Sequence, residues 1–299
     1  MQTRNYSPIT VHKDGDFFRE AIFYTANTTG LNSELVERDY FCSLLLSYLY
    51  SNEGLLVFKG GTCLSKIYGE FYRLSEDLDF MISTPADASR SLRRKTIEPI
   101  KKIVGRVTDV LPAFTLSENL TGRNNSTQYI AQVQYRSSIR PIPATIKIEI
   151  GLREELLTLP QKGRVKTLLN DPFSRKPAVQ EFSVLCMSLE EACAEKLRAA
   201  LTRAELAIRD FYDIDYAVRE MGLDLNKKDF IDLAIKKLVV PGNDPMNITL
   251  ARKEMLRRQL EAELKPILRE KDFQQFDLDR AFNLIAEVGS KLQQLLRSP

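Results

Sequence analysis

The sequence contains only one histidine among 299 residues, and this scarcity excludes several kinds of active site. Metal centres built on histidine clusters, and catalytic triads that use several histidines, need more imidazole groups than the chain has. His12 lies in a polar N-terminal segment far from any motif, so we interpret it as an ordinary surface residue. If the protein is an enzyme, its chemistry must therefore depend on carboxylates, lysines and metal ions.

Cysteines and long apolar runs are scarce as well. The cysteines form no CxxC pair, which is typical of small buried side chains in a reducing cytoplasm. No apolar stretch approaches the roughly 18 residues of a membrane span, and the first residues, "MQTRNYSPIT", lack the charged and then apolar layout of a signal peptide. We therefore expect a cytoplasmic protein that has no membrane partner.

Neither sign of charge is in large excess, since the formal net charge at pH 7 is only +3. Hydrophobic residues make up 43% and charged residues 28%, an ordinary globular composition, and the length leaves room for two domains. Positive charge is nevertheless concentrated in "RSLRRKTIEPIKKIVGR" at 90–106 and "RKEMLRRQ" at 252–259. Each run is either the solvated face of a helix or a contact for nucleic-acid phosphates.

The periodicity of apolar residues changes near Ser188, which divides the chain into two predicted domains. Up to that point it predicts helices over 15–50 and 88–110, with a short helix through Leu64. The predicted strands span 55–58, 77–82, 113–119, 128–135, 144–150 and 182–187. After it, a capping box of Ser188 and Glu191 begins a region that is nearly all helical. We predict an α+β fold, with a mixed sheet in domain 1–187 and an α-helical C-terminal domain, 188–299.

Two acids alternate with apolar residues in the predicted strand "DLDFMI". Alternation places Leu78 and Phe80 on one face of the strand and Asp77 and Asp79 on the other. Two neighbouring carboxylates are unfavourable unless a cation or a proton compensates their charge. Mg²⁺ prefers such hard oxygen ligands and usually also takes substrate phosphates. The alternative is a half-exposed edge strand whose acids lie in solvent.

A second acidic strand and a glycine turn favour the metal hypothesis. In "ATIKIEI" the polar face carries Lys147 and Glu149, so Glu149 would join the two aspartates if the strands are neighbours. Asp77, Asp79 and Glu149 are our predicted metal ligands, and three carboxylates can hold one or two Mg²⁺ ions. The turn Gly60–Gly61–Thr62 would bring backbone N–H groups close to phosphate oxygens, and Thr62 adds a hydroxyl.

The same residues resemble the motifs of a known family. A glycine turn followed by R-x-S-x-D-[IL]-D is matched by Arg73, Ser75, Asp77, Leu78 and Asp79, and a KxE strand is matched by Lys147–Glu149. A later E-K-[LI]-x-A…R…RD-x-x-D motif is matched by Glu195, Lys196, Leu197, Ala199, Arg203, Arg209, Asp210 and Asp213. From Phe58 to Ala217 the chain therefore resembles the AbiEii-type toxins of bacterial toxin–antitoxin and abortive-infection systems. That family, which includes the MenT toxins, belongs to the polymerase-β-like nucleotidyltransferase superfamily.

This resemblance implies a polymerase-β-like domain that transfers a nucleoside monophosphate from an NTP, with Mg²⁺ as the cofactor. It implies that Lys196 and Asp210 join Asp77, Asp79 and Glu149 in the active site, the helical domain contributing the first two to the cleft. The residues expected to bind or support the triphosphate are Gly60, Gly61, Thr62, Arg73, Ser75, Lys196 and Arg203.

The resemblance further implies an RNA acceptor, the 3′ end of tRNA, and therefore a toxin that blocks translation. A cognate antitoxin is an expected partner, and we expect the protein itself to be a monomer. The densest basic run could supply the RNA contacts, and its candidate residues are Arg93, Arg94, Lys101 and Lys102.

Two other functions remain open at this stage. The nucleotide could be transferred to a protein side chain, or the chain could be a regulatory module that binds nucleotides without transfer. All three expected acids are present, which a degenerate enzyme need not retain. Lys196 flanks an apolar helical stripe, so it could also be a lysine that snorkels to solvent.

Overall fold

The computed structural model describes residues 9–52 and 54–297, and within them the chain forms two compact units. The first unit contains the chain up to Leu156 together with Pro160–Cys186. The second contains Leu157–Leu159 and the chain from Met187 onward. The predicted fold class is confirmed, because the first unit contains a mixed sheet with helices and the second is helical.

The first unit places helices before and within a group of strands. Its helices are α1 (Gly15–Thr29), α2 (Ser33–Asn52), α3 (Gly60–Cys63), α4 (Arg90–Gly105) and α5 (Val107–Val110). Its strands are β1 (Val57–Lys59), β2 (Leu78–Met81), β3 (Phe114–Arg123), β4 (Gln128–Tyr135), β5 (Ala144–Gly151), β6 (Gln161–Val165) and β7 (Phe182–Cys186). Short 3-10 turns occur at Val11–Lys13 and Asn124–Ser126, and a π-helical turn, Leu64–Tyr68, continues α3.

The seven strands described here form one sheet in the order β3-β4-β5-β2-β1-β7-β6. Strand β2 is antiparallel to β1 and parallel to β5, so the sheet is mixed. In the β2–β5 pair, Asp79 lies opposite Glu149 and Leu78 lies opposite Ile148. The two acidic strands are therefore neighbours, which is the condition that the metal hypothesis required.

Alternation along the strands explains which face of the sheet is covered. Ile146, Ile148 and Ile150 of β5 are completely buried, and Leu78 and Phe80 of β2 are buried beside them. Helix α2 packs against β5, and α4 packs against β3. Each such side chain contributes roughly 1.5–3 kcal/mol through its burial, so the apolar faces fix the register. The residues between them must then point to the opposite, polar face.

Strand β6 was not predicted, and its sequence explains why. Only Gly163 and Val165 of "QKGRV" are buried, so the pattern carries almost no apolar signal. A Cβ on Gly163 would lie 2.6 Å from Ile67 Cδ1 and 2.7 Å from Cys186 Sγ. This strand therefore pairs with β7 because a glycine lets neighbouring side chains approach, which no local periodicity reveals.

The interpretation of His12 as an ordinary surface residue was wrong. Its Nδ1 lies 2.7 Å from the hydroxyl oxygen of Tyr40, and its ring packs against the rings of Tyr40 and Phe41. Burial, with a further contribution from Lys13, lowers the pKa of His12. The histidine is thus a half-buried structural contact between the N-terminal segment and α2.

The second unit consists of helices α6 (Leu189–Thr202), α7 (Ile208–Glu220), α8 (Lys228–Leu238), α9 (Leu250–Gln259), α10 (Glu270–Gln275) and α11 (Leu278–Arg297), with short turns at Leu260–Leu264 and Lys265–Ile267. None of the helices described in either unit is long and apolar enough to span a bilayer.

Ser188 caps α6 by accepting a hydrogen bond from the backbone N–H of Glu191, which is half of the predicted capping box.

The Glu191 carboxylate serves a different purpose from the one that a capping box requires. It accepts hydrogen bonds from the backbone N–H groups of Leu157 and Thr158, and from the hydroxyl of Thr158. The Nζ of Lys237 lies 2.9 Å from its Oε1, and both side chains are completely buried. These contacts explain why Leu157–Leu159 belongs to the helical unit although it follows β5.

Candidate active site

Three carboxylates and one lysine gather on the polar face of the sheet. Asp79 on β2 pairs with Glu149 on β5, and Asp77 directly precedes β2. The Nζ of Lys147 lies 3.3 Å from Asp77 Oδ2 and 3.3 Å from Glu149 Oε2. The structure therefore brings together the three acids predicted to bind metal. Their roles stay predictions.

Glu149 is held by a side chain that the sequence did not single out. Gln128, the first residue of β4, donates from Nε2 to Glu149 Oε1 over 2.7 Å, and Asn124 Nδ2 donates to Gln128 Oε1 over 3.0 Å. Because Lys147 contacts the other oxygen of Glu149, both oxygens are engaged. A glutamine at the start of a strand has no distinctive spacing, and only the pairing of β4 with β5 reveals its position.

The environment of Asp79 is short of positive charge. Burial, and then the charges of Glu149 and Asp77, raise the pKa of Asp79 to about 6, although Lys59 and Lys147 partly oppose the shift. A carboxylate so perturbed favours the approach of a proton or a cation.

The donor set fits a hard divalent ion such as Mg²⁺, since it consists of carboxylate oxygens. As the side chains stand, no cluster of three or more His, Cys, Asp or Glu residues in the described ranges surrounds a single ion position. Lys147 instead provides the positive charge between Asp77 and Glu149.

Both glycines of the turn are required by packing within the protein. Gly60 has φ +75°, and a Cβ there would lie 2.3 Å from Asp79 Oδ2. A Cβ on Gly61 would lie 2.2 Å from Nη2 of Arg73. The hydroxyl of Thr62, which is buried, donates to the backbone carbonyl of Asp77. The turn is thus fitted closely onto the acidic strand, and the hydroxyl hydrogen of Thr62 is used inside the protein.

Arg73 and Ser75 lie in the segment that leads into β2. Arg73 is only 1% exposed, and its Nη1 donates to the backbone carbonyl of Leu74 over 3.2 Å. Its guanidinium therefore lies beneath the glycine turn, where it can support the turn from inside. Ser75 is half-buried just before Asp77. Their predicted part in nucleotide binding stays a prediction.

The second unit holds the other predicted site residues in a compact cluster. Lys196 Nζ lies 2.8 Å from Asp210 Oδ1 and 3.0 Å from Asp213 Oδ2, and both aspartates are buried. Arg203 Nη1 lies 3.2 Å from the second oxygen of Asp210. Lys196 thus ends on two buried carboxylates, whereas a snorkelling lysine would end in water. Whether Lys196 and Asp210 serve the nucleotide stays a prediction.

One of the four predicted RNA contacts was wrong. Arg93 is buried, and it donates from Nε to the backbone carbonyl of Leu152 over 3.0 Å and from Nη2 to that of Ala86 over 2.8 Å. A side chain so placed is not available to an RNA phosphate. The sequence did contain a signal, because Arg93 precedes Ile97 by four residues and Ile100 by seven and so lies on the buried stripe of α4.

The other three basic residues of α4 differ in their surroundings. Arg94 and Lys102 are exposed. Lys101 is half-buried, with its Nζ 3.6 Å from Glu98 Oε2 and 5.5 Å from the centre of the Tyr129 ring. An acceptor contact is therefore a hypothesis best tested on Arg94 and Lys102.

A match to a protein-family model identifies the family of this chain. The model, described as nucleotidyl transferase AbiEii toxin of a type IV toxin–antitoxin system, matches residues 45–288. This range covers most of the chain and includes the glycine turn, both acidic strands and the lysine–aspartate cluster. The chain belongs to the AbiEii nucleotidyltransferase toxin family. The predicted family and the predicted enzyme class are both confirmed.

The chain is similar in fold to a solved structure. A crystal structure from Helicobacter pylori, described as a candidate nucleotidyltransferase, superposes with a TM-score of 0.50 at 16% identity, covering 89% of this chain and 97% of that one. The protein JHP933 of Helicobacter pylori gives a TM-score of 0.49 at 16% identity, covering 89% and 94%. No curated protein matches the chain.

Proposed function

We propose that this AbiEii-family enzyme uses Mg²⁺ to transfer a nucleoside monophosphate from an NTP to a hydroxyl of RNA, the 3′ end of tRNA being the acceptor. The observation that carries the proposal is the register of Asp79 opposite Glu149 beside the Gly60–Gly61 turn. This register places carboxylate oxygens, which are hard ligands with an excess of negative charge, close to one another. It also places them beside a backbone turn of the kind that accommodates phosphate.

The reaction requires a new bond from the acceptor oxygen to the α-phosphorus while the bond to pyrophosphate breaks. Bound Mg²⁺ would supply positive charge to the attacking and leaving oxygens. Asp77 and Asp79 are proposed to hold the ion. Glu149 completes the ligand set or accepts the proton of the acceptor hydroxyl, and Gln128 and Lys147 each contact one of its two oxygens. Lys196 is proposed to bind the triphosphate, and Asp210, whose Oδ1 lies 2.8 Å from its Nζ, is proposed to hold it in place.

Labelling is the direct test of this function. Purified protein is incubated with each α-labelled NTP, MgCl₂, total RNA and a protein extract, and the label is followed by electrophoresis. We expect label at the 3′ end of tRNA with wild-type protein and none with Asp77→Asn protein or in EDTA. Label in protein would favour transfer to a side chain, and bound nucleotide with label in neither fraction would indicate a binding module.

The proposed substrates also define the proposed biology. NTPs and tRNA are found together in the cytoplasm, where a blocked tRNA 3′ end stops aminoacylation and hence translation. An enzyme with this activity needs control by a cognate antitoxin, which the toxin family suggests as a partner.

RNA binding gives a prediction that is independent of transfer. We expect Arg94→Gln/Lys102→Gln protein to bind tRNA more weakly and with a flatter dependence on salt, because two phosphate contacts would be lost. Each contact contributes about 0.7 to 0.9 to the slope of log K against log salt, so the slope should fall by about 1.4 to 1.8. The measurement is a tRNA binding titration at several salt concentrations.

The matched control for this prediction removes the same charge elsewhere. Lys227 and Lys228 are both exposed in the second unit, and Lys227→Gln/Lys228→Gln changes the net charge equally. If both double variants had the wild-type slope, α4 would be an ordinary solvated surface. If both lowered it equally, the effect would reflect net charge alone.

A further inference from the structure

Lys147 forms ion pairs with two of the three acids that we propose as metal ligands. Its Nζ lies 3.3 Å from Asp77 Oδ2 and 3.3 Å from Glu149 Oε2, so one ammonium group bridges a residue before β2 and a residue of β5. Strand alternation enforces this position, because Lys147 and Glu149 are two residues apart on the same face. The acids and the lysine are therefore built into one arrangement by the register of the sheet.

We propose that Lys147 is a built-in counter-ion, which holds the carboxylates in place when no metal is bound and must leave them when a divalent ion binds. The inference rests on the proposed function, since it takes Asp77, Asp79 and Glu149 as the metal ligands. Lys147 thereby sets how tightly the enzyme binds its metal, and acts as a positioning residue and not as a ligand.

The geometry of the contacts supports this exchange. The bridging ammonium occupies one oxygen of Asp77 and one of Glu149, and these are oxygens that a dication would use. An ammonium group and a dication repel each other at such short range, even at the moderate screening of a half-exposed site. Lys147 can move away because its side chain is 38% exposed. Glu149 remains oriented after that movement, since Gln128 still donates to its other oxygen.

The charge of Lys147 lowers metal affinity in two ways. It stabilises the metal-free protein by separating acids that would otherwise repel each other, and it must be displaced before a metal can bind. Both effects disappear when the side chain is neutral, so removal of the charge should tighten metal binding. If Lys147 only formed a structural ion pair, removing its charge would lower the stability of the protein and leave its metal affinity unchanged.

The test is a titration of nucleotide-free protein with Mn²⁺, in which calorimetry and electron paramagnetic resonance measure the bound metal. We expect the Kd for Mn²⁺ of Lys147→Met protein to be about tenfold lower than that of wild type, which corresponds to about 1.4 kcal/mol. Lys147→Gln should behave in the same way and serves as a second variant. Lys147→Arg keeps the charge and should stay close to wild type.

Thermal unfolding supplies a second readout and a matched control. The Tm of metal-free Lys147→Met protein should be lower than that of wild type, and Mn²⁺ should raise it by a larger amount. The control is Lys166→Met, because Lys166 pairs with Glu70 over 2.6 Å and is 36% exposed, close to the exposure of Lys147. We expect this control to lose some stability while its Kd for Mn²⁺ is unchanged.

The outcomes separate this inference from the proposed function. If wild-type protein binds Mn²⁺ and Lys147→Met and Lys147→Gln bind it equally or more weakly, the counter-ion role is wrong while the metal site stands. If neither wild type nor the two variants bind Mn²⁺ saturably, the metal site of the proposed function is wrong and the inference falls with it.

Discussion

Replacing Asp79 by Asn is expected to abolish nucleotidyl transfer and, at the same time, to stabilise the metal-free protein at pH 7.5. Transfer should fall by at least about a thousandfold, because a lost metal ligand removes several kcal/mol of charge stabilisation from the reaction. Stability should rise because a neutral amide of the same shape replaces a carboxylate that lies beside Glu149 and Asp77. A residue that serves folding would give the opposite change in stability.

The pH dependence of this gain follows from the pKa of Asp79. Its value in the folded protein is about 6, above the ordinary 3.8, so the folded state binds the proton more tightly than the unfolded state does. Asp79 therefore destabilises the wild-type protein progressively as the pH rises from about 4 to about 6. Above that range the cost is on the order of 1–3 kcal/mol, and Asn does not incur it.

Urea unfolding in EDTA at pH 4.5 and pH 7.5 measures this difference. The stability of Asp79→Asn protein should exceed that of wild type at pH 7.5 and approach it at pH 4.5. The control is Asp77→Asn, whose side chain is 41% exposed, so its stability should change little although transfer is lost. If Asp79→Asn protein transferred nucleotide at close to the wild-type rate at saturating Mg²⁺, Asp79 would not be a metal ligand.

The acidic strands show what periodicity can predict. Period-two alternation in "DLDFMI" and "ATIKIEI" assigned a polar face to each strand, and burial of the intervening Leu78 and Ile148 then fixed their register. Alternation alone does not show that the two strands are neighbours. Their adjacency follows from the order of strands in the sheet, which depends on contacts between distant parts of the chain.

Contacts between side chains that are distant in sequence were beyond prediction. The glycine pair correctly indicated a close approach, but Gly61 approaches Arg73 of the same chain. Gln128 reaches Glu149 only because β4 pairs with β5. Arg93 differs, because its position on the buried stripe of α4 was readable from the spacing of Ile97 and Ile100. Its charge suggested a surface location, and hydrogen bonds to two backbone carbonyls allow it to be buried instead.

Gly61 gives the second large expected effect, for a reason that differs from the one suggested by its sequence context. A glycine that approaches phosphate predicts that Gly61→Val weakens NTP binding in a protein of normal stability. The structure predicts loss of stability first, because Gly61 is buried and its added Cβ would lie 2.2 Å from the buried guanidinium of Arg73. No positive φ is involved at this residue, so the penalty comes from packing alone.

We therefore expect Gly61→Ala to destabilise the protein by about 3 kcal/mol, the upper end of the usual cost of overpacking. The Tm should fall by roughly 6–12 °C for a protein of this size, and Gly61→Val should lower it further. Gly105→Ala is the matched control, because nothing lies within 4 Å of its added Cβ. Its stability should stay within about 0.5 kcal/mol of wild type.

A double-mutant cycle with Arg73→Ala identifies the cause of the destabilisation. Arg73→Ala alone should be strongly destabilising, because Arg73 is among the largest fully buried side chains of the described chain. In the Arg73→Ala background, Gly61→Ala should cost far less than in wild type, since the clashing guanidinium is gone. Equal costs in the two backgrounds would show that Arg73 is not the obstacle. If the Gly61→Ala protein kept wild-type stability but lost much of its NTP affinity, the added methyl group would point at the phosphates. Gly61 would then have the direct role in phosphate binding that the sequence suggested.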